Sequence, residues 1–196
     1  MSKIENRKEY KIILNKKQLA YFLSKNRSKL EKIYSSRVVT SLYFDSTDFS
    51  LYKNSMINDV DNYKVRVRTY SNNNIFFQEI KKNLSTGKSK VIKQLNINTF
   101  DEVKKIDINA VTLYPALFTE YYRDYFVIEN CRLTIDTNIK FKTHGFRGTS
   151  NFEKFYNNIV MEFKLFNENT HIEKFLFQNP VSFSKYNFAK KNLYGV

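Results

Sequence analysis

Cysteine and histidine are nearly absent from this chain. One cysteine, Cys131, and two histidines, His144 and His171, stand among 196 residues. A single thiol excludes an internal disulfide framework and fits a reducing compartment, so a cytoplasmic location is expected. Cys and His are also too few for a structural zinc site. Cys131 reads as a buried small hydrophobe and the histidines as surface or loop residues. No run of about 18 apolar residues occurs, so no transmembrane helix is expected. The stretch from Met1 to Tyr10 is charged and lacks the apolar core of a secretory signal. No repeat, linker or shift in composition marks a boundary, and residues 1–196 read as one domain.

Positive charge is what the chain has in excess: 33 Lys and Arg against 19 Asp and Glu, a net +14. Such a balance suggests an anionic partner, although much surface lysine in a chain rich in Lys, Asn and Ile can be compositional. Arginine is the scarcer cation, with 8 against 25 lysines. A guanidinium forks two donors onto a phosphate, which a lysine cannot do. Arg7, Arg66, Arg68, Arg123 and Arg132 fall within or beside candidate strands.

The clearest strand runs from Asn62 to Tyr70. Lys64, Arg66 and Arg68 share one face, Val65 and Val67 the other. Arg7 to Leu14 alternates in the same way, with Arg7, Glu9 and Lys11 on one side. Asn15 caps a helix expected to reach about Leu30. Val38 to Phe44 is a strand, followed by a short helical turn near Phe49 to Tyr52 that Asp45 and Asp48 are placed to cap. Ile75 to Lys82 and Lys88 to Leu95 are strands. Asn98 to Ile106 and Val111 to Tyr121 read as helices, the second with Pro115 near its start. Tyr122 to Glu129 pairs with Arg132 to Asn138 around a turn, and Ile159 to Leu165 is a further strand. Ile172 to Phe177 reads as helical, and a last helix runs to Asn192.

Most strands thus carry one charged and one apolar face. A half-buried sheet with its charges in water is the ordinary explanation. Three features favour an inverted barrel instead. The charged faces mix both signs, they hold most of the arginines, and the helices bring apolar faces that the outward strand faces can receive.

Taken in order, the pieces resemble a known family. They are Arg7-x-Glu9-x-Lys11; Ser41 to Asp45 with Tyr52; Lys64 to Arg68 with Tyr70; Glu79-x-Lys81 with Lys90; Tyr122-Arg123; Arg132 to Thr137; Met161 to Lys164; and Ser184-Lys185-Tyr186. This order is similar to the vacuolar transporter chaperone (VTC) domain, the polyphosphate polymerase branch of the triphosphate tunnel metalloenzymes. The resemblance implies an α+β fold: a closed eight-stranded antiparallel β-barrel with helices packed outside. It implies transfer of the ATP γ-phosphate to growing polyphosphate with a divalent metal, Mn2+ or Mg2+. Lys11, Arg66, Arg68, Lys81 and Lys90 would be catalytic; Arg7, Arg123, Arg132, Lys164 and Lys185 would bind substrate. Glu162 would hold the metal, with Glu9 and Glu79 as further ligands. Asp136 and Lys64 would be lumen residues.

Hydrolytic and cyclase branches carry Glu-x-Glu-x-Lys on the first strand, where this chain has Arg7 in place of the first Glu. That favours holding a long polyanion over two-metal hydrolysis. The eukaryotic proteins add a phosphate-sensing domain and membrane helices, so the expectation is the short stand-alone bacterial form. ATP and polyphosphate are the expected partners, not nucleic acid. The other readings are a tripolyphosphatase or nucleoside triphosphatase, and a non-catalytic polyphosphate or nucleotide sensor.

Overall fold

The computed structural model describes residues 3–5, 8–57, 62–71, 73–85, 87–108, 110–145, 152–166 and 172–195. Eleven strands and three α-helices lie among them. In order they are β1 (Lys3–Glu5), β2 (Glu9–Leu14), α1 (Lys16–Lys25), β3 (Leu30–Asp45), α2 (Ser50–Ile57), β4 (Asn62–Tyr70), β5 (Asn73–Leu84) and β6 (Gly87–Leu95). They continue with β7 (Ile106–Ile108), β8 (Val111–Ile128), β9 (Cys131–Thr143), β10 (Glu153–Tyr156), β11 (Ile159–Leu165) and α3 (Lys185–Tyr194). No helix among the described residues is long and apolar enough to cross a membrane.

The strands form one antiparallel sheet in the order β1-β6-β5-β4-β3-β8-β9-β11-β2, with β10 attached to β9 and β7 to β8. This corrects the closed eight-stranded barrel. The short β1 takes the edge of β6, and β2 pairs with β11, so among the described residues no ladder joins the two ends. The sheet still curls. Lys81 on β5 and Glu9 on β2, from distant parts of the path, interact electrostatically.

Two further corrections explain the larger strand count. Asn98–Ile106 is not a helix: Thr99 caps only a 3-10 turn at Phe100–Glu102, and the chain then extends into β7. Val111–Tyr121 is not a helix either but the first part of the 18-residue β8. Its Thr, Tyr, Phe and Val content suits a pleated surface. Pro115 sits at a register shift opposite Tyr43 and Phe44, an irregular place that tolerates a missing N–H. Leu30 opens β3 instead of closing α1, and Ile172–Phe177 holds only a 3-10 turn at Glu173–Phe175.

Apolar faces are covered on the outside. Asn15 closes a capping box with Gln18, and α1 lays Phe22 edge-on to Phe163, over Ile12, Leu14, Leu133 and Ile135. Val65 and Val67 join Leu42, Phe44, Phe76 and Leu113 in a second core, covered by the segment carrying Ile97, Phe100 and Val103. The remaining core lies on the concave side. A register shift between Glu120 and Tyr122, with Asn138 at positive φ, places one extra residue in β9. Ile139 and Phe141 thereby come onto the same face as Asp136, and α3 packs Tyr186 and Ala189 on them.

Candidate functional site

The concave face gathers the charged residues of β2, β4, β5, β6, β8, β9 and β11. Because β4 and β5 are in register, Arg66 stands opposite Glu79. Arg66 Nε donates to Glu79 at 2.7 Å, and its Nη1 donates to the Tyr43 hydroxyl at 2.9 Å. Lys90 donates to the other Glu79 oxygen at 2.8 Å. Arg68 donates to Ser41 at 3.0 Å and to the Tyr121 hydroxyl at 3.1 Å, with Glu79 3.7 Å away. Glu79 is only 3% exposed. Burial alone would raise its pKa, but Arg66, Arg68 and Lys90 outweigh that and hold the carboxyl far below the ordinary range.

A second group sits on β8, β9 and α3. Arg123 forks onto both oxygens of the buried Asp136, and Lys185 donates to the same carboxylate. The Arg123 guanidinium and the Lys185 ammonium both lie over the Tyr121 ring, at 5.0 and 4.5 Å from its centre. Burial disfavours the Asp136 charge, and Arg123 and Lys185 more than offset this, so its pKa lies below the usual value.

The third group is on β2 and β11. Lys164 bridges Glu9 and Glu162, reaching Glu162 at 3.1 Å. Burial opposes ionisation of Glu162, and Lys164, Lys11, Arg123 and Lys81 overcome it. The Lys11 ammonium donates to the Phe183 carbonyl at 3.0 Å.

Lys81 stands between the first and third groups. It forms no hydrogen bond or ion pair among the described residues. Burial, Arg66 and Lys164 push its pKa down to about 7, against the pull of Glu9 and Glu162. Arg132 is half-buried beside Lys164, and its Nε has no partner among the described residues. Arg7 and His171 lie outside the described residues.

The family model of the VTC domain matches this chain over residues 6–107 and 84–194. The chain belongs to the VTC domain family. Solved structures share its fold at low identity. A Bacillus halodurans protein described as a candidate adenylate cyclase aligns with a TM-score of 0.62 and 16% identity, covering 95% of this chain and 97% of that one. A Pyrococcus horikoshii protein aligns at 0.56 and 10%, covering 94% and 99%. A candidate adenylyl cyclase from Hippeastrum, described as having a dominant triphosphatase activity, aligns at 0.53 and 14%, covering 95% and 96%. No curated protein matches the chain.

In this VTC domain, Arg66, Arg68, Lys81, Lys90, Arg123, Lys164, Lys185 and Lys11 therefore share one concave face with Glu9, Glu79, Asp136 and Glu162. The three expected metal ligands do not share a position. Glu9 and Glu162 meet through Lys164, whereas Glu79 is enclosed by Arg66 and Lys90 on the opposite wall. No cluster of three or more acidic, His or Cys side chains occurs among the described residues. Tyr43 and Tyr121 were not legible as site residues. Tyr121 sits two residues before Arg123 on one strand face, a spacing that the helical reading of Val111–Tyr121 concealed.

Proposed function

We propose that this VTC domain is a metal-dependent phosphotransferase that adds the γ-phosphoryl group of ATP to the end of a polyphosphate chain. The observation that carries the reading is the cation surplus on the concave face. Among the described residues eight Lys and Arg side chains converge there on four carboxylates, and Lys81 forms no direct ion pair with any of them. Such an arrangement is unfavourable by itself and is relieved by a polyanion. The forked donors of Arg66, Arg68 and Arg123 suit phosphate oxygens. Duplex nucleic acid would call instead for a basic stripe on the outer surface.

An oxygen of the terminal chain phosphate attacks the γ-phosphorus. The bond from that phosphorus to the bridging oxygen breaks, and ADP leaves with the electron pair. No Ser or Cys nucleophile is needed; positioning and charge neutralisation carry phosphoryl transfer. Arg66 and Arg68 hold nucleotide or chain phosphates, Arg123 and Lys185 guide the chain, and Lys11, Lys81 and Lys90 offset charge on the bridging oxygen. Mg2+-type ions take one or two carboxylates plus phosphate oxygens, which the Glu9–Glu162 pair fits. Those two residues would hold a Mn2+ or Mg2+, which neutralises phosphate charge when bound. Glu79, committed to its three cations, serves to orient Arg66 and Arg68.

A tripolyphosphatase would use the same clamps with water as acceptor, and the Hippeastrum relative's triphosphatase activity keeps that reading in the test. Incubation with ATP and Mn2+ is expected to yield long acid-labile chains on a gel. Orthophosphate alone would assign a hydrolase, and tight binding without turnover a sensor. Arg66→Ala should lose roughly 2–4 kcal/mol of transition-state stabilisation; wild-type turnover in that variant would overturn the clamp.

A further inference from the structure

Beyond the phosphate clamps, one rim of the concave face is built from tyrosines around an arginine. Arg37 on β3 places its guanidinium over three rings, 5.3 Å from the centre of Tyr34, 5.5 Å from Tyr70 and 5.0 Å from Tyr125. Tyr34 meets Tyr125 edge-on at 5.7 Å. Arg37 forms no ion pair among the described residues, and its buried Nε has no hydrogen-bond partner there. The rim adjoins the clamps directly. Arg37 pairs in register with Arg123, and Arg68 also lies over Tyr70 at 5.9 Å. The opposite end is filled: α3 packs on Ala116, Leu117 and Tyr121 of β8, whereas Tyr125 lies further along the same strand.

The geometry points to this rim as the seat of the nucleobase, for a nucleoside triphosphate whose phosphates run from the rim onto Arg68 and Arg66. The inference rests on the phosphate-binding reading above and adds its base-recognition element. A base stacks well on an aromatic ring or a guanidinium plane, and stacking tolerates any base. Tyr34, at 54% exposed, offers the open ring. A ligand made only of phosphate would use the clamps and leave the rings idle.

Calorimetry with ATP and with tripolyphosphate, on wild type and Tyr34→Ala, separates the two parts. The variant is expected to bind ATP about ten-fold more weakly and tripolyphosphate as before. Equal weakening for both ligands, or none for either, overturns the base seat while leaving the phosphate site intact. Wild type that binds neither ligand overturns the phosphate reading, and the base seat with it. The chain has no tryptophan, so Tyr34→Trp gives a second measurement. Its fluorescence should respond to ATP and not to tripolyphosphate; the same response to both overturns the proposal.

Discussion

Glu79 anchors the first group of cations, and its charge is worth more than its size suggests. Its oxygens accept from Arg66 and Lys90 in a buried position. Glu79→Gln keeps the shape but leaves three cations, Arg66, Arg68 and Lys90, without their counter-charge, which should cost about 3–5 kcal/mol. A urea midpoint equal to wild type would refute this. The folded carboxyl titrates below the ordinary glutamate value of 4.5. Its stabilisation is therefore complete above that value and is lost as pH falls, so the wild-type acid limb between about pH 5 and pH 2 should flatten in the variant. Lys81 shifts in the same direction, but there burial and the neighbouring cations disfavour the charged form. Its folded pKa of about 7 lies below the ordinary 10.5. Between those values the unfolded chain binds more protons, so stability rises with pH across the window. Lys81→Met should remove that rise and stabilise the empty protein at neutral pH. Tripolyphosphate binding near pH 7.5 should draw a proton onto Lys81. Calorimetry in buffers of different ionisation heat measures this uptake; unchanged uptake in Lys81→Met would reject it.

Helices here act as covers and plugs, tied down by a few polar contacts. Asp45 is fully buried at the end of β3. It accepts from the Leu51 and Tyr52 amides at 2.9 and 3.0 Å, which caps α2, and also from the Tyr186 hydroxyl of α3. The capping role expected of Asp45 is thus present, with a tie to a second helix that local sequence could not show. Asp45→Asn exchanges one acceptor for a donor facing those groups and should cost about 2 kcal/mol. A denaturation midpoint that does not move would contradict this account. Lys190 reinforces the same corner, with its ammonium 3.9 Å from the centre of the Phe49 ring and 4.5 Å from that of Tyr194. Strand β8 shows the limit of local reading. Residues Val111–Tyr121 have apolar positions compatible with either period, and Pro115 leaves the start of a helix there undefined. Pairing with β3, β7 and β9 settles the segment as strand.

The whole molecule is a curled sheet whose apolar side is covered and whose cationic side faces itself. Self-repulsion across that face predicts that an anionic ligand stabilises the fold. Tripolyphosphate at a hundred times its Kd should add about 2.7 kcal/mol, or roughly 5–10 °C in Tm for a domain of this size. Sulfate at equal ionic strength should give far less. An equal rise with sulfate would mean general screening and would count against a built site.

Alternation along β2, β4, β5 and β11, the Asn15 cap, and the identity of Arg66, Arg68, Lys81, Lys90, Glu162 and Lys185 as one charged set were all legible in the sequence. Strand period and capping are local, and the motif order supplied the rest. The sequence could not say which way the charged faces turn, because water satisfies an alternating strand as well as a lumen does. Burial of Phe22 on Phe163 and of Phe100 in the core of Val65 and Val67 decided that. Register, a property of two strands and not one, set Arg66 against Glu79 and Arg123 against Asp136. It also brought Arg37, just outside the strand expected from Val38 to Phe44, onto the tyrosine rim. The open path of the sheet belongs to the same class of fact, since it depends on which edges find partners across the whole chain.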